Sequence, residues 1–192
     1  MKKFIKITTI TLCLVMTVFM VTGCGKKSES SSSSSTKKKS KGNCDVFECI
    51  KKLDSKTTLE KANEVIGFEG EKLRESTTAG DWTTYQWKLN DDDSVEVTVY
   101  KTWSSVKINF KDDSIKNKKV DFSKYDEVKK ALNNREAVSY DDLKKKFGGV
   151  EGTLIEVTSS GYKYRWVNSE GGYLDASLNL DKTKCSMIMG RI

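Results

Sequence analysis

The sequence predicts an α+β fold of two tandem units, each of two short helices followed by four strands, with the helices covering one face of an antiparallel sheet. Three observations predict it. Apolar residues take helical spacing at Val46, Cys49 and Leu53, and again 79 residues later at Tyr125, Val128 and Leu132. Two-residue alternation follows each helical stretch, as in Val95, Val97, Val99 and in Leu174, Ala176, Leu178. The alternating stretches repeat at the same 79-residue shift, which is the mark of an internally duplicated chain.

In chain order, residues 1–23 have the layout of a secretory signal. Lys2, Lys3 and Lys6 precede an apolar run from Ile7 that is broken only by threonines. Val21-Thr22-Gly23-Cys24 resembles the lipobox of bacterial lipoproteins. The resemblance implies cleavage before Cys24 and a diacylglyceryl group, with palmitate-type chains, on its thiol. The expected location is the extracytoplasmic face of a Gram-positive type cell membrane. Residues 24–42, rich in Ser and Lys, cannot bury enough apolar surface to order themselves and read as a tether. As a flexible coil this tether spans about 25 Å. Its lysines either lie on anionic headgroups or are simply solvated.

The first unit occupies residues 43–116 and the second 117–192. After the first helix of each unit, a second runs from Thr58 through Leu59, Ala62 and Ile66 to Gly67, and from Ser139 through Tyr140, Leu143 and Phe147 to Gly148. Thr or Ser is the N-cap and Gly the left-handed stop. The first strand of each unit falls at residues 72–76 and 153–158. Tyr85-Gln86-Trp87 and Tyr164-Arg165-Trp166 mark the second, and the Val95 and Leu174 series the third. The fourth pairs Val106, Ile108 and Phe110 with Cys185, Met187 and Met189. Turn residues such as Ala79-Gly80-Asp81 and Glu170-Gly171-Gly172 fill the gaps.

This order of elements, with a Gly-rich turn after the second helix and Tyr-x-Trp in the second strand, resembles the β-lactamase inhibitory protein and related small lipoproteins of Gram-positive bacteria. A single unit is similar to the small lipoprotein of the outer-membrane barrel-assembly machinery. The resemblance implies a concave sheet surface that grips protein partners. No residues here match the inhibitor's active-site-filling loop.

The formal net charge of +7 would suggest an acidic partner until it is located. The signal carries three of the surplus charges and residues 24–42 carry five, leaving residues 43–192 at −1. A nearly neutral exported part gives no footprint for nucleic acid. Catalysis is poorly supported, because there is no histidine and no nucleophile or phosphate-loop motif. Neither a cofactor nor a metal is expected, and Asp91-Asp92-Asp93 reads as a hairpin turn rather than a calcium loop. A Cys44–Cys49 bridge requires Cys44 to precede the helix; the alternative is that Cys49 and Cys185 are buried free thiols.

Strand parity sorts the large aromatic residues. Tyr85, Trp87, Tyr162, Tyr164 and Trp166 should pack on the helices. Trp82, Tyr100 and Tyr173 should stand on the polar face, with Trp103 at the turn after the third strand. Together with Lys107 and Arg165 they form the expected partner-binding set, since Trp, Tyr and Arg dominate binding hot spots. The expected function is that of a membrane-anchored lipoprotein, not an enzyme, which binds an envelope protein. It would be either an inhibitor of a β-lactamase-like or penicillin-binding enzyme or an assembly lipoprotein. The reading from a different class, a sensor of cell-wall fragments or small molecules, requires a closed pocket.

Overall fold

Three of the four described α-helices begin where a short polar side chain satisfies free backbone N–H groups. The computed structural model describes residues 41–115 and 120–192. The expected signal, Cys24 and the chain up to residue 40 lie outside the described residues, as do residues 116–119. Helix α1 (Val46–Lys51) starts at Asp45, whose carboxylate accepts from the Phe47 and Glu48 N–H groups at 3.0 and 2.9 Å. Helix α2 (Leu59–Ile66) is capped by Thr58 and stopped by Gly67 at φ 96°. Helix α3 (Tyr125–Asn133) carries no side-chain cap. Helix α4 (Tyr140–Lys146) has a reciprocal capping box between Ser139 and Asp142, with Gly148 at φ 80° just beyond its end. No helix among the described residues is long and apolar enough to cross a membrane.

The strands are β1 (Glu71–Ser76), β2 (Trp82–Lys88), β3 (Ser94–Tyr100), β4 (Ser104–Asn109), β5 (Thr153–Thr158), β6 (Gly161–Val167), β7 (Tyr173–Asn179) and β8 (Cys185–Arg191). They pair antiparallel in sequence order to make one eight-stranded sheet. This corrects the expectation of two tandem units with a four-stranded sheet each. β4 pairs with β5 through Val106 opposite Val157 and Lys107 opposite Glu156, and that seam makes the sheet continuous.

Register fixes the faces, because residues directly opposite each other share one. Tyr85, Val97, Val106, Val157, Tyr162 and Leu178 are opposed in turn across β2 to β7. All of them face the helices. The buried side chains form two clusters. One joins Val46, Cys49, Ile50, Ala62 and Ile66 to Trp87, Val95, Val97 and Val106. The other joins Val128, Leu143 and Phe147 to Trp166, Leu174, Ala176 and Cys185. Leu154 and Tyr162 pack against both.

Each cluster is centred on an indole held by hydrogen bonds and seated on a glycine. Trp87 Nε1 donates to the Phe68 carbonyl at 3.0 Å and to Asn63 Oδ1 at 3.1 Å. Trp166 Nε1 donates to the Val150 carbonyl at 2.9 Å. A methyl group on Gly70 would lie 2.4 Å from the Trp87 ring, and one on Gly152 would lie 2.6 Å from the Trp166 ring.

Two further placements differ from the sequence reading, and a third decides between the alternatives it left open for the cysteines. Met187 and Met189 do not continue the inward set of Cys185. The register of β8 slips between its partners Ser177 and Leu178, so the extra residue turns both methionines to the opposite face, 44% and 50% exposed. Lys41 already belongs to the packed chain, its N–H donating to the Leu89 carbonyl at 2.8 Å. Cys44 lies just ahead of the N-cap and is disulfide-bonded to Cys49, which leaves Cys185 as the free, buried thiol among the described residues.

Candidate functional site

The face of the sheet opposite the helices carries the candidate site. Among the described residues no helix is packed on its central rows. One row crosses all eight strands in register: Glu71, Gln86, Glu96, Lys107, Glu156, Lys163, Ser177 and Met187. At the usual strand spacing it is about 34 Å long. Its centre alternates in sign, with Glu96 opposite Lys107 and Glu156 opposite Lys163.

The charges of this row are unequally satisfied. Glu96 Oε1 accepts from Asn109 Nδ2 at 2.8 Å and from Gln86 Nε2 at 3.3 Å. Glu156 is ion-paired with Lys163. The Lys107 side chain is exposed and makes no hydrogen bond or ion pair among the described residues. It borders a depression of about 290 Å³ in the angle between β4 and β5, lined by Phe110, Glu156, Lys163, Arg165 and Asp175. A second depression, of about 370 Å³, lies toward the β5–β6 turn and includes Ser160, Lys163 and Lys184.

The six residues expected to bind a partner are not brought to one place. Trp82 and Tyr100 are opposed at one end of the β2–β3 pair. Tyr100 stacks on Trp103 with ring centroids 3.8 Å apart, and the Arg74 guanidinium lies 6.0 Å from the Trp82 ring. This aromatic corner is half-buried rather than exposed, because the rings cover one another across the hairpin. Tyr173 begins β7 at the diagonally opposite corner. It is also half-buried, with the Arg165 and Arg191 guanidinium groups 4.5 and 6.0 Å from its ring. Lys107 lies between the two corners.

Arg165 is committed within the chain. Its Nε and Nη2 donate to the two oxygens of Asp175 at 2.6 and 2.7 Å, and Nη1 donates to Asp112 at 2.8 Å. The hydrogen bonds to Asp175 hold the guanidinium charged well above its ordinary range, outweighing the opposing effect of burial. Asp112 belongs to a short 3-10 turn (Asp112–Ser114) after β4, so Arg165 ties that turn to β6 and β7. Strand parity put Arg165 on this face, but neither acidic partner was visible in it. Strand parity set Met187 and Met189 on the inward side with Cys185, since the bulge that turns them to this face leaves no trace in composition.

On the helix side, a groove of about 770 Å³ runs between α1 and α4, lined by Phe47, Ile115, Tyr140, Leu154, Tyr164 and Lys182 among others. The Tyr140 hydroxyl donates to Glu151 at 2.6 Å and accepts from the Gly152 N–H at 3.1 Å. Burial first, and then the Glu151 carboxylate, push the phenol well above its ordinary range. Lys182 Nζ lies 5.2 to 5.7 Å from the rings of Tyr140, Tyr162 and Tyr164. Asp91-Asp92-Asp93 forms a turn in which Asn90 Oδ1 accepts from the Asp92 and Asp93 N–H groups.

No family model, no curated protein and no solved structure matches the chain.

Proposed function

We propose that this chain is a lipid-anchored envelope protein that binds another envelope protein through the open face of its sheet. The observation that carries the reading is the row crossing all eight strands with Lys107 unpaired at its centre. A side chain that keeps a desolvation-tolerant stem and a free ammonium in the middle of an uncovered face is available to a partner carboxylate. The half-buried aromatic corner at Trp82, Tyr100 and Trp103 supplies rigid apolar area beside it. Cys24, carrying the lipid, holds this face at the membrane in the reading. An inhibitor of a β-lactamase-like or penicillin-binding enzyme and an assembly lipoprotein remain its two forms.

The finer architecture belongs to the same reading. The chain is an internal duplication fused into one sheet, supported by the order helix, helix, four strands in each half. It is supported again by the paired sites in which an indole N–H meets the carbonyl two residues before a glycine, Phe68 before Gly70 and Val150 before Gly152.

The test is a capture experiment on native envelope, comparing the wild-type chain with Lys107→Glu, Trp103→Ala and a helix-side control, Lys61→Glu. A protein retained by the wild type and the control but lost with Lys107→Glu supports the reading. Equal retention by all four, or loss only with the control, defeats it. The anchor is tested separately by Cys24→Ala, which should leave uncleaved or shed protein; unchanged membrane partitioning of the mature form would exclude lipidation.

A further inference from the structure

The two edges of the sheet differ chemically, and the difference is informative because an unpaired strand edge is a template for pairing. β1 carries Glu71, Lys72, Arg74 and Glu75 within six residues, with Lys72 and Glu75 ion-paired. Such charges are a usual guard against edge-to-edge association. β8 reads Cys-Ser-Met-Ile-Met-Gly-Arg, with a single charge at its last position. Only its beginning is covered, where the Cys185 N–H donates to the Val138 carbonyl at 2.7 Å. Past the bulge, residues 187–191 pair with β7 on one side, and among the described residues no strand lies on the other.

We propose that residues 186–190 of β8 pair antiparallel with the same residues of a second copy across a two-fold axis, joining two eight-stranded sheets into one. The segment is self-complementary in that direction. With the axis near Ile188, Met187 of each copy falls beside Met189 of the other on the same face, so four exposed thioether side chains cover one another along the seam. The two Arg191 side chains then lie at opposite ends, about 20 Å apart. A parallel arrangement would set them side by side, and like charges directly opposite destabilise a pair of strands. Closed two-fold dimers are the commonest assemblies of identical chains. Because the axis stands perpendicular to the sheet, the helices of both copies stay on one side. The opposite faces, with their rows of charge, then run on as one surface.

The test uses the full chain solubilised in a mild detergent. Sedimentation should show a dimer. Met187→Lys with Met189→Lys should weaken it at least ~100-fold, since four ammonium groups would meet in the seam. The melting temperature of the dissociated chain should be little changed, because both positions are exposed. Leu73→Lys, on the charged edge, should leave the dimer intact. Amide exchange gives a second reading: those amides of residues 186–190 that point away from β7 should be protected at high protein concentration and lose protection on dilution. A monomer at every concentration, a dimer indifferent to the two lysines, or exchange of these amides independent of concentration would each overturn the proposal.

Discussion

Adding one methyl group at Gly70 tests how the first core is built. Neither Gly70 nor Gly152 has a left-handed φ, so an alanine there is not strained by its backbone and the cost must come from volume. At Gly70 the new carbon would lie 2.4 and 2.5 Å from two atoms of the Trp87 ring, against about 3.5 to 4.0 Å for an ordinary carbon contact. The indole has nowhere to retreat. It is fully buried, and two hydrogen bonds to Phe68 and Asn63 fix its N–H. Overpacking of a core costs about 1–3 kcal/mol, and an overlap of roughly 1 Å against a rigid ring belongs at the upper end. For a domain of about 150 residues, about 3 kcal/mol corresponds to a fall in melting temperature of about 6–12 °C. Gly152→Ala should behave alike, slightly less severely, since its nearest ring atoms are at 2.6 and 2.8 Å.

The assay is thermal denaturation followed by circular dichroism, run as a double-mutant cycle. Trp87→Leu alone should be costly, about 3 kcal/mol, because it opens a cavity and leaves the Phe68 carbonyl without its donor. In that background Gly70→Ala should cost little or become favourable, giving a coupling of about 1–3 kcal/mol. If the penalty of Gly70→Ala were the same with and without the indole, contact with Trp87 would not be the reason for the glycine.

The Cys44–Cys49 bridge closes a short loop, with a sequence separation of 5. Its reduction or a double Ser replacement should cost about 2 kcal/mol, read as a fall of about 4–8 °C in melting temperature under reductant. Burial pushes the Cys185 thiol up, outweighing the Met187 carbonyl contact that acts the other way. A group raised in the folded state stabilises below its unfolded value, so stability should hold below about pH 8.5 and decline as pH rises beyond it. Cys185→Ala should flatten that alkaline limb in urea titrations, and an unchanged limb would remove the thiol as its cause. Arg165→Met should destabilise by about 1–3 kcal/mol, because Asp175 would keep its largely buried place without its counter-charge. A neutral result in urea denaturation would mean that the Asp112–Arg165–Asp175 bridge is only a surface contact.

Local features were legible in the sequence and non-local ones were not. Thr58, Ser139 and Gly67 announce helix ends because capping depends on neighbours three or four residues away. Trp87 and Trp166 could be placed in the core because alternation along one strand decides which side they face. The pairing of β4 with β5 joins residues about 50 apart through two helices, and nothing in either strand names its neighbour. Bulges defeat alternation directly: one extra residue before Met187 moves every later side chain to the other face. Parity gave Trp82, Tyr100 and Tyr173 the correct side but not their burial. Burial depends on Trp103 stacking across a hairpin and on Arg191 reaching Tyr173 from β8. The disulfide turned on whether Cys44 lay inside the helix, and the side chain of Asp45 settles that by capping the residues after it.

The β4–β5 seam explains why the sheet of the described residues has two edges to defend. Two separate four-stranded sheets would expose four, and the inner two would be β4, with the apolar series Val106 and Ile108, and β5, with Ile155 and Val157. Pairing them covers two edges that carry no charge on the inward side and lets Leu154 and Tyr162 close both cores at once. The same pairing sets Lys107 opposite Glu156 and so makes the row of charge continuous between the halves. A cut in the seam should therefore be felt on both sides of the sheet. Val106→Asp would bury a carboxylate in the first core and would also part Lys107 from its place in the row. Loss of stability and loss of partner capture are then expected together in this variant, whereas Lys107→Glu should lose capture alone.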